Sequence, residues 1–225
     1  GSEMCIRDSK SPYDYQSNVL AIAIKNVAEP SNQDYVHDLA ESISSIATLL
    51  KGQCLALFTS NDTLEKVYQK LTGDHESDVV YLAQGIDGQP FQLLRKFQDN
   101  PNSVLMGTAS FWDGVDIPNN YLKCVIMTRL PFSVPSDPIV LASTMNIDNP
   151  FPDYQLPSAV LKFRQGFGRL IRGSNDRGIF VLLDSRLSAK SYGHAFESSL
   201  EDVDLLKVEN QELPLLIEKW TSNDN

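Results

Sequence analysis

No G-x-x-x-x-G-K-S/T phosphate loop and no D-E-A-H-like acidic segment after a strand-forming run occur anywhere in the 225 residues. The chain therefore cannot hold a Mg²⁺-nucleotide by itself in the P-loop manner, and any nucleotide site it contributes to is half a site. Cysteine is scarce: Cys5, Cys54 and Cys124 lie far apart with no CxxC pair. That excludes a metal knuckle and a disulfide framework and points to a reducing, intracellular setting. The three histidines, His37, His75 and His194, stand apart in polar segments and read as surface residues, not as a metal set or a triad. G-x-S-x-G and H-E-x-x-H are missing too, and no apolar run approaches the length needed to cross a bilayer. Nor is there a secretory signal with an apolar core. Gly1-Ser2 reads as a cleavage scar, and residues 1–10 are expected to be tag or unstructured chain.

Basic charge is also in short supply, with 19 Lys and Arg against 29 Asp and Glu for a net charge of −10. A broad electrostatic grip on nucleic acid leaves a basic footprint, which the whole chain lacks. The distribution is uneven, however. Over 157–192 seven basic residues face two acidic ones, whereas over 193–225 eight acidic residues face two basic ones. A cationic site inside an acidic shell suits local phosphate binding.

That site centres on Arg164-Gln165-Gly166-Phe167-Gly168-Arg169-Leu170-Ile171-Arg172. At about 100° per residue, a helix places Lys162, Gln165, Arg169 and Arg172 on one arc, with Val160, Phe163, Phe167, Leu170 and Ile171 opposite. Pro157 suits a first helical turn and Gly173 a C-terminal cap, so the helix is expected over 158–172. Gly166 and Gly168 inside it each cost on the order of 1 kcal/mol relative to Ala. By lacking side chains they let a ligand or a second backbone approach the row. Fixed guanidinium forks beside an amide match a polyphosphate. The competing account is a surface helix with solvated arginines.

The composition, 42% hydrophobic and 21% charged, is that of a globular protein, and the length fits one α/β domain. Apolar runs predict strands at 19–24, 54–58, 79–82, 103–106, 124–127 and 178–183, the last strand. Helical periods are expected at 34–51, 61–71, 90–98, 138–145 and 158–172, with further acidic helical segments ending near Trp220. Strand and helix alternate without hairpins, which predicts a mostly parallel sheet flanked by helices on both faces. Repeats and low-complexity tracts are absent.

Ligands of such sheets bind beyond the carboxyl ends of the strands. Three strand ends stand out. In Phe58-Thr59-Ser60-Asn61, hydroxyl and amide groups precede a helix start, which can bind an anion through backbone N–H groups; plain capping by Ser60 or Asn61 is the alternative. The loop over 107–118 holds Gly107, Thr108, Ser110, Phe111, Trp112, Asp113, Gly114 and Asp116. Thr108 and Ser110 can hydrogen-bond a phosphate backbone, and Phe111 or Trp112 can stack on a base unless they fill the core. Asp113 and Asp116 can hold a ribose hydroxyl or orient the arginines. The third strand end is Thr128-Arg129-Leu130-Pro131-Phe132.

Residues 107–118 followed by 165–172 resemble motifs V and VI of superfamily 2 helicases, and are nearest to the DinG/XPD-like group. Ser11-Pro12-Tyr13-Asp14-Tyr15, Leu57-Phe58-Thr59-Ser60 as motif IV, Arg129-Leu130-Pro131-Phe132 and Asp184-Ser185-Arg186 extend the resemblance from about residue 11 to 186. It implies a RecA-like, P-loop-NTPase-like three-layer domain over 11–202, with 203–225 a helical tail of the same domain. The activity implied is the second motor domain of a cytoplasmic, nucleoid-associated bacterial 5′→3′ DNA helicase active in repair and replication. ATP and Mg²⁺ would be bound mainly by a first RecA-like domain carrying the Walker motifs, which in many relatives also carries an iron–sulfur (4Fe–4S) cluster. By that resemblance Arg169 and Arg172 correspond to arginine fingers on the γ-phosphate and Gln165 to its sensor, with Asp113, Gly114 and Asp116 at the nucleotide. Thr59, Ser60, Thr108, Ser110, Phe111 and Trp112 correspond to contacts with single-stranded DNA. Asp113 stands where relatives usually carry Glu, so a shorter side chain must do that work. Two other classes remain: a nucleotide-dependent interaction module that binds without catalysis, and part of a DinG-like exonuclease, for which no two-metal carboxylate cluster is visible.

Overall fold

The computed structural model describes residues 15–73, 78–108, 111, 117, 121–134, 136–171, 176–200 and 203–222. After one helical turn at Tyr15–Asn18, seven strands build a single sheet: β1 (Val19–Ile24), β2 (Cys54–Leu57), β3 (Val80–Ala83), β4 (Ser103–Gly107), β5 (Cys124–Met127), β6 (Gly178–Leu182) and β7 (Leu205–Val208). Their spatial order is β3-β4-β2-β5-β6-β1-β7, and every pairing is parallel. The helices are α1 (Tyr35–Leu50), α2 (Asn61–Thr72), α3 (Pro90–Asp99), α4 (Pro138–Thr144), α5 (Leu156–Phe167), α6 (Arg186–Ala189), α7 (Gly193–Glu197) and α8 (Leu213–Ser222).

Parallel strands need helical crossovers, and those helices cover both faces, which is why the strands are apolar at nearly every position. The alternation within each strand then divides the interior into two cores. Ile22, Ile24, Ala56, Val104, Ile126 and Val181 pack with Leu39, Ile43 and Ile46 of α1, Leu64 and Val67 of α2 and Ile217 of α8. Ala21, Leu55, Leu57, Leu105, Val125, Phe180 and Leu182 pack with Leu93 and Phe97 of α3 and Phe163 and Phe167 of α5. Each large apolar side chain fully buried in this way contributes roughly 1.5–3 kcal/mol. The result is the three-layer α/β domain anticipated from the sequence. No helix among the described residues is long and apolar enough to cross a membrane.

Two expectations are corrected. The sheet has a further strand, β7, in the tail for which the sequence predicts only helix. It pairs with β1 from Ala21↔Leu205 to Ile24↔Val208. As an edge strand it is only half covered, with Leu206 and Lys207 exposed, so it lacks the continuous apolar signature of the inner strands. The cationic helix is also shorter than 158–172. It starts at Leu156, with Pro157 in its first turn after a π-helical turn at Phe151–Gln155, and ends at Phe167. Gly168, not Gly173, is its C-terminal cap, donating its N–H to the Arg164 carbonyl oxygen at 2.8 Å. Residues 168–170 form a turn, so Arg169 lies beyond the helix.

Candidate functional site

The carboxyl ends of five neighbouring strands present a row of polar groups: Gln84 after β3, Thr108 after β4, Thr59 after β2, Thr128 after β5 and Asp184 after β6. The parallel register brings them to one edge, as the strand-end rule anticipates. Gln84 ties the first two positions together. Its side-chain oxygen accepts the Thr108 N–H at 2.8 Å and the Thr108 hydroxyl at 3.3 Å. The same hydroxyl lies 3.0 Å from Asn61 Oδ1. Ser60 takes the capping role, accepting the Thr63 N–H at the start of α2 at 3.4 Å.

Beside these groups is a cleft of about 280 Å³, lined by Phe58, Thr59, Asn61, Thr108, Pro131, Phe132, Ser133, Val134, Asp137 and Lys162. It thus joins Thr59 and Thr108, two of the residues picked out from the sequence, and adds Asn61, Ser133 and Lys162. A larger cavity of about 1050 Å³ opens at the opposite, amino-terminal edge, where Gln53, Asn102 and Lys123 precede β2, β4 and β5. None of the candidate nucleotide- or DNA-binding residues lines it, so the smaller cleft is the better candidate on chemical grounds.

A buried charge pair fixes the wall of the cleft. Asp184 Oδ2 accepts the Leu130 N–H at 2.8 Å, across 54 residues of sequence. Arg186 grips both carboxylate oxygens, Nε to Oδ1 at 2.9 Å and Nη2 to Oδ2 at 2.6 Å, and its backbone N–H donates to Oδ1 at 3.0 Å. Burial disfavours the guanidinium charge, but Asp184 more than offsets it and the Arg186 pKa is raised. The guanidinium also lies 5.8 Å from the centre of the Phe132 ring. That ring is held further by Phe151, Tyr192 and Phe196. On the other side of the strand end, the Tyr35 hydroxyl donates to the Thr128 carbonyl oxygen at 3.3 Å. Burial raises the Tyr35 pKa to about 12; Asp184 adds to the shift, while Arg129 and Arg186 oppose it.

Phe111 needs a correction as a base-stacking residue. It is 0% exposed, belongs to the same core as α5, and packs so tightly on Gly107 that a Cβ there would collide with its ring. It fills the core and offers no face to a base. Gln165 is exposed and Arg169 half-buried. Ser110, Trp112, Asp113, Gly114, Asp116 and Arg172 lie outside the described residues.

The cationic row is not one surface. Lys162 turns to the cleft, its Nζ 3.3 Å from Ser133 Oγ. Arg169 precedes Leu170, which covers the amino-terminal end of β6: a Cβ on Gly178 would run into the Leu170 side chain. Sequence reasoning placed these residues on one arc because it extended the helix past Gly168. It missed Lys162 as a cleft residue and Gln84 as the group that holds Thr108, although Gln84 carries the strand-end signal that identified Thr108.

The sequence matches the model of the helicase C-terminal domain over residues 43–203. It is 35% identical over 213 residues to the Bacillus subtilis protein named 3'-5' exonuclease DinG, covering 91% of this chain and 23% of that one. It is 34% identical over 194 residues to the Escherichia coli ATP-dependent DNA helicase YoaA, covering 84% and 30%. The chain thus spans between about a quarter and a third of the length of these relatives. Among solved structures, an XPD helicase superposes with a TM-score of 0.66 at 18% identity over 84% of this chain and 35% of that one. The C-terminal domain of the DEAD-box protein Dbp5 gives 0.59 at 15% identity over 92% and 98%. At these identities the superpositions speak for the RecA-like fold alone.

Proposed function

The chain belongs to the helicase C-terminal domain family, in its DinG/XPD-like branch, and from that premise we propose that it is the second motor domain of an ATP-dependent 5′→3′ DNA helicase. In this reading a preceding RecA-like domain of the same polypeptide holds ATP and Mg²⁺ through its Walker motifs. Gln165, Arg169 and Arg172 complete the site from across the interdomain cleft, with Asp113, Gly114 and Asp116 lining the nucleotide. Thr59, Ser60 and Thr108, with Ser110 and Trp112, meet the single strand.

The observation that carries the reading is the separation of two polar surfaces along α5. Thr59, Thr108 and Lys162 meet at the carboxyl edge of the sheet, while Arg169 follows the far end of the same helix. Lys162 sits mid-helix, five residues and about 7.5 Å of rise before α5 ends at Phe167, and Arg169 follows in the turn beyond it. A helix whose middle faces the strand cleft and whose end leads into a nucleotide-facing arginine can pass a hydrolysis-driven displacement to DNA. Phe163 and Phe167 anchor it in the core. An arginine finger acts mainly on transition-state charge, so its loss costs roughly 10³–10⁵ in rate in comparable NTPases. An exonuclease reading, suggested by the name of the Bacillus relative, finds less support: among the described residues no group of three or more His, Cys, Asp or Glu is placed to hold a metal.

The test is Arg169→Lys and Arg172→Lys in the full-length protein, followed by steady-state ATPase, strand separation and thermal melting. A point charge cannot replace the planar fork. Both variants should therefore lose unwinding while keeping wild-type melting and single-strand affinity. Unwinding near the wild-type rate by either variant would show that the arginines are surface residues.

A further inference from the structure

The sequence period groups Lys162 with Gln165, Arg169 and Arg172 in one nucleotide-facing row, but the structure divides that row. We propose that Lys162 serves the other substrate: it is the cationic ligand for one phosphodiester of the single strand in the cleft formed by Thr59, Asn61, Thr108 and Ser133. This deepens the helicase reading above and rests on it.

Four observations converge. Lys162 lies on α5, five residues before Phe167 closes that helix, and lines the same cleft as Thr59 and Thr108. Lys162 is half-buried, and its hydrogen-bond partner among the described residues is a neutral hydroxyl, Ser133 Oγ at 3.3 Å. That hydroxyl carries no charge, and among the described residues Lys162 makes no ion pair. Across the cleft, the Thr108 hydroxyl and Asn61 amide are held together at 3.0 Å, and Gln84 locks the Thr108 backbone. A phosphate entering there meets a hydroxyl, an amide and a cation without rearrangement of backbone, the mixture that positions a nucleic-acid strand without reading its bases.

Asp137 lines the same cleft, with Oδ1 accepting the Ile139 N–H at 2.8 Å at the start of α4. Its negative charge opposes a phosphate beside it, so Lys162 is the group in the cleft that attracts one. Phe132 does not act as a stacking platform, because Phe151 stacks at 5.8 Å and the Arg186 guanidinium lies over the ring. The cleft therefore takes backbone, not base, and its occupancy should be indifferent to sequence.

The experiment measures binding of a labelled oligothymidylate to the full-length protein by fluorescence anisotropy over a range of salt concentrations. Each single-strand phosphate neutralised contributes about 0.7 to the slope of log K against log salt. Lys162→Gln should lower the slope magnitude by about 0.7 and weaken binding about tenfold at low salt, with Lys162→Arg restoring both. Lys70→Gln, at an exposed lysine beside the cavity at the opposite edge of the sheet, should keep the wild-type slope. A Lys162→Gln slope equal to wild type overturns the proposal, and so does a Lys70→Gln slope reduced as much as that of Lys162→Gln. Thr108→Val separates the levels. If it weakens binding while Lys162→Gln does not, only the role of Lys162 fails; if neither matters, the domain does not contact the strand here and the helicase reading of the cleft fails with it.

Discussion

Replacing Asp184 by Asn keeps the shape of the side chain and an oxygen for the Leu130 amide, yet removes the charge that Arg186 grips. The pair is well shielded, with side-chain exposures of 16% for Arg186 and 5% for Asp184. Water cannot replace the lost partner fully, and removing one member of a buried ion pair costs roughly 3–5 kcal/mol. The retained oxygen and the partial exposure of the guanidinium place Asp184→Asn near the lower end, at about 3 kcal/mol. A domain of this size loses roughly 2–4 °C of melting temperature per kcal/mol, so a drop of about 6–12 °C is expected. Arg186→Met should cost less, about 1–2 kcal/mol, because the carboxylate keeps the N–H groups of residues 130 and 186. The double variant should be less destabilised than the two single losses combined, by about 1–2 kcal/mol of coupling. Urea unfolding of all four proteins gives the cycle. A loss below about 0.5 kcal/mol for Asp184→Asn, or additivity, would show that the pair does not hold the wall of the cleft.

Gly107→Ala forces a methyl into the buried Phe111 ring and should destabilise by roughly 1–3 kcal/mol, with Phe111→Leu in the same chain recovering part of it; equal stability in denaturant would show that the loop simply shifts. Tyr35 predicts an alkaline limb. The unfolded phenol loses its proton near pH 10 and the folded one near 12, so this contribution is intact below pH 10 and is lost between pH 10 and 12, roughly 2–3 kcal/mol. Stability curves of Tyr35→Phe should be flatter over that window. Cys124 faces Cys54 in the register of β2 and β5, and burial, with Cys54 beside it, raises its pKa well above the usual thiol range. Both thiols should resist an aromatic disulfide reagent until the chain unfolds.

How far the sequence reveals this molecule varies with the kind of signal. β1 and β5 match their expected limits to the residue, because strands buried on both faces are uninterrupted apolar runs. β7 escapes that test, since half of it faces water. The cationic period runs on through Arg172 in the sequence, and only the Gly168 cap shows where the helix stops. The site divides in the same way. Thr59 and Thr108 were legible as hydroxyls at strand ends. The meeting of Asp184 with Leu130, and of Lys162 with Ser133, depends on crossovers that no local pattern encodes. Phe111 was ambiguous because an aromatic in a glycine-rich loop reads equally as a platform or as a plug, and only its burial against Gly107 decides.

The claim that this is half of a motor is tested most directly by DNA-stimulated ATP hydrolysis, measured on the 225-residue chain alone and on the full-length protein. The account predicts no turnover by the chain, because it has neither the P-loop lysine nor the metal-binding acid. In the full-length protein, single-stranded DNA should stimulate hydrolysis, and Arg169→Lys should abolish it. Hydrolysis by the purified chain that disappears on changing Arg169 would contradict the account.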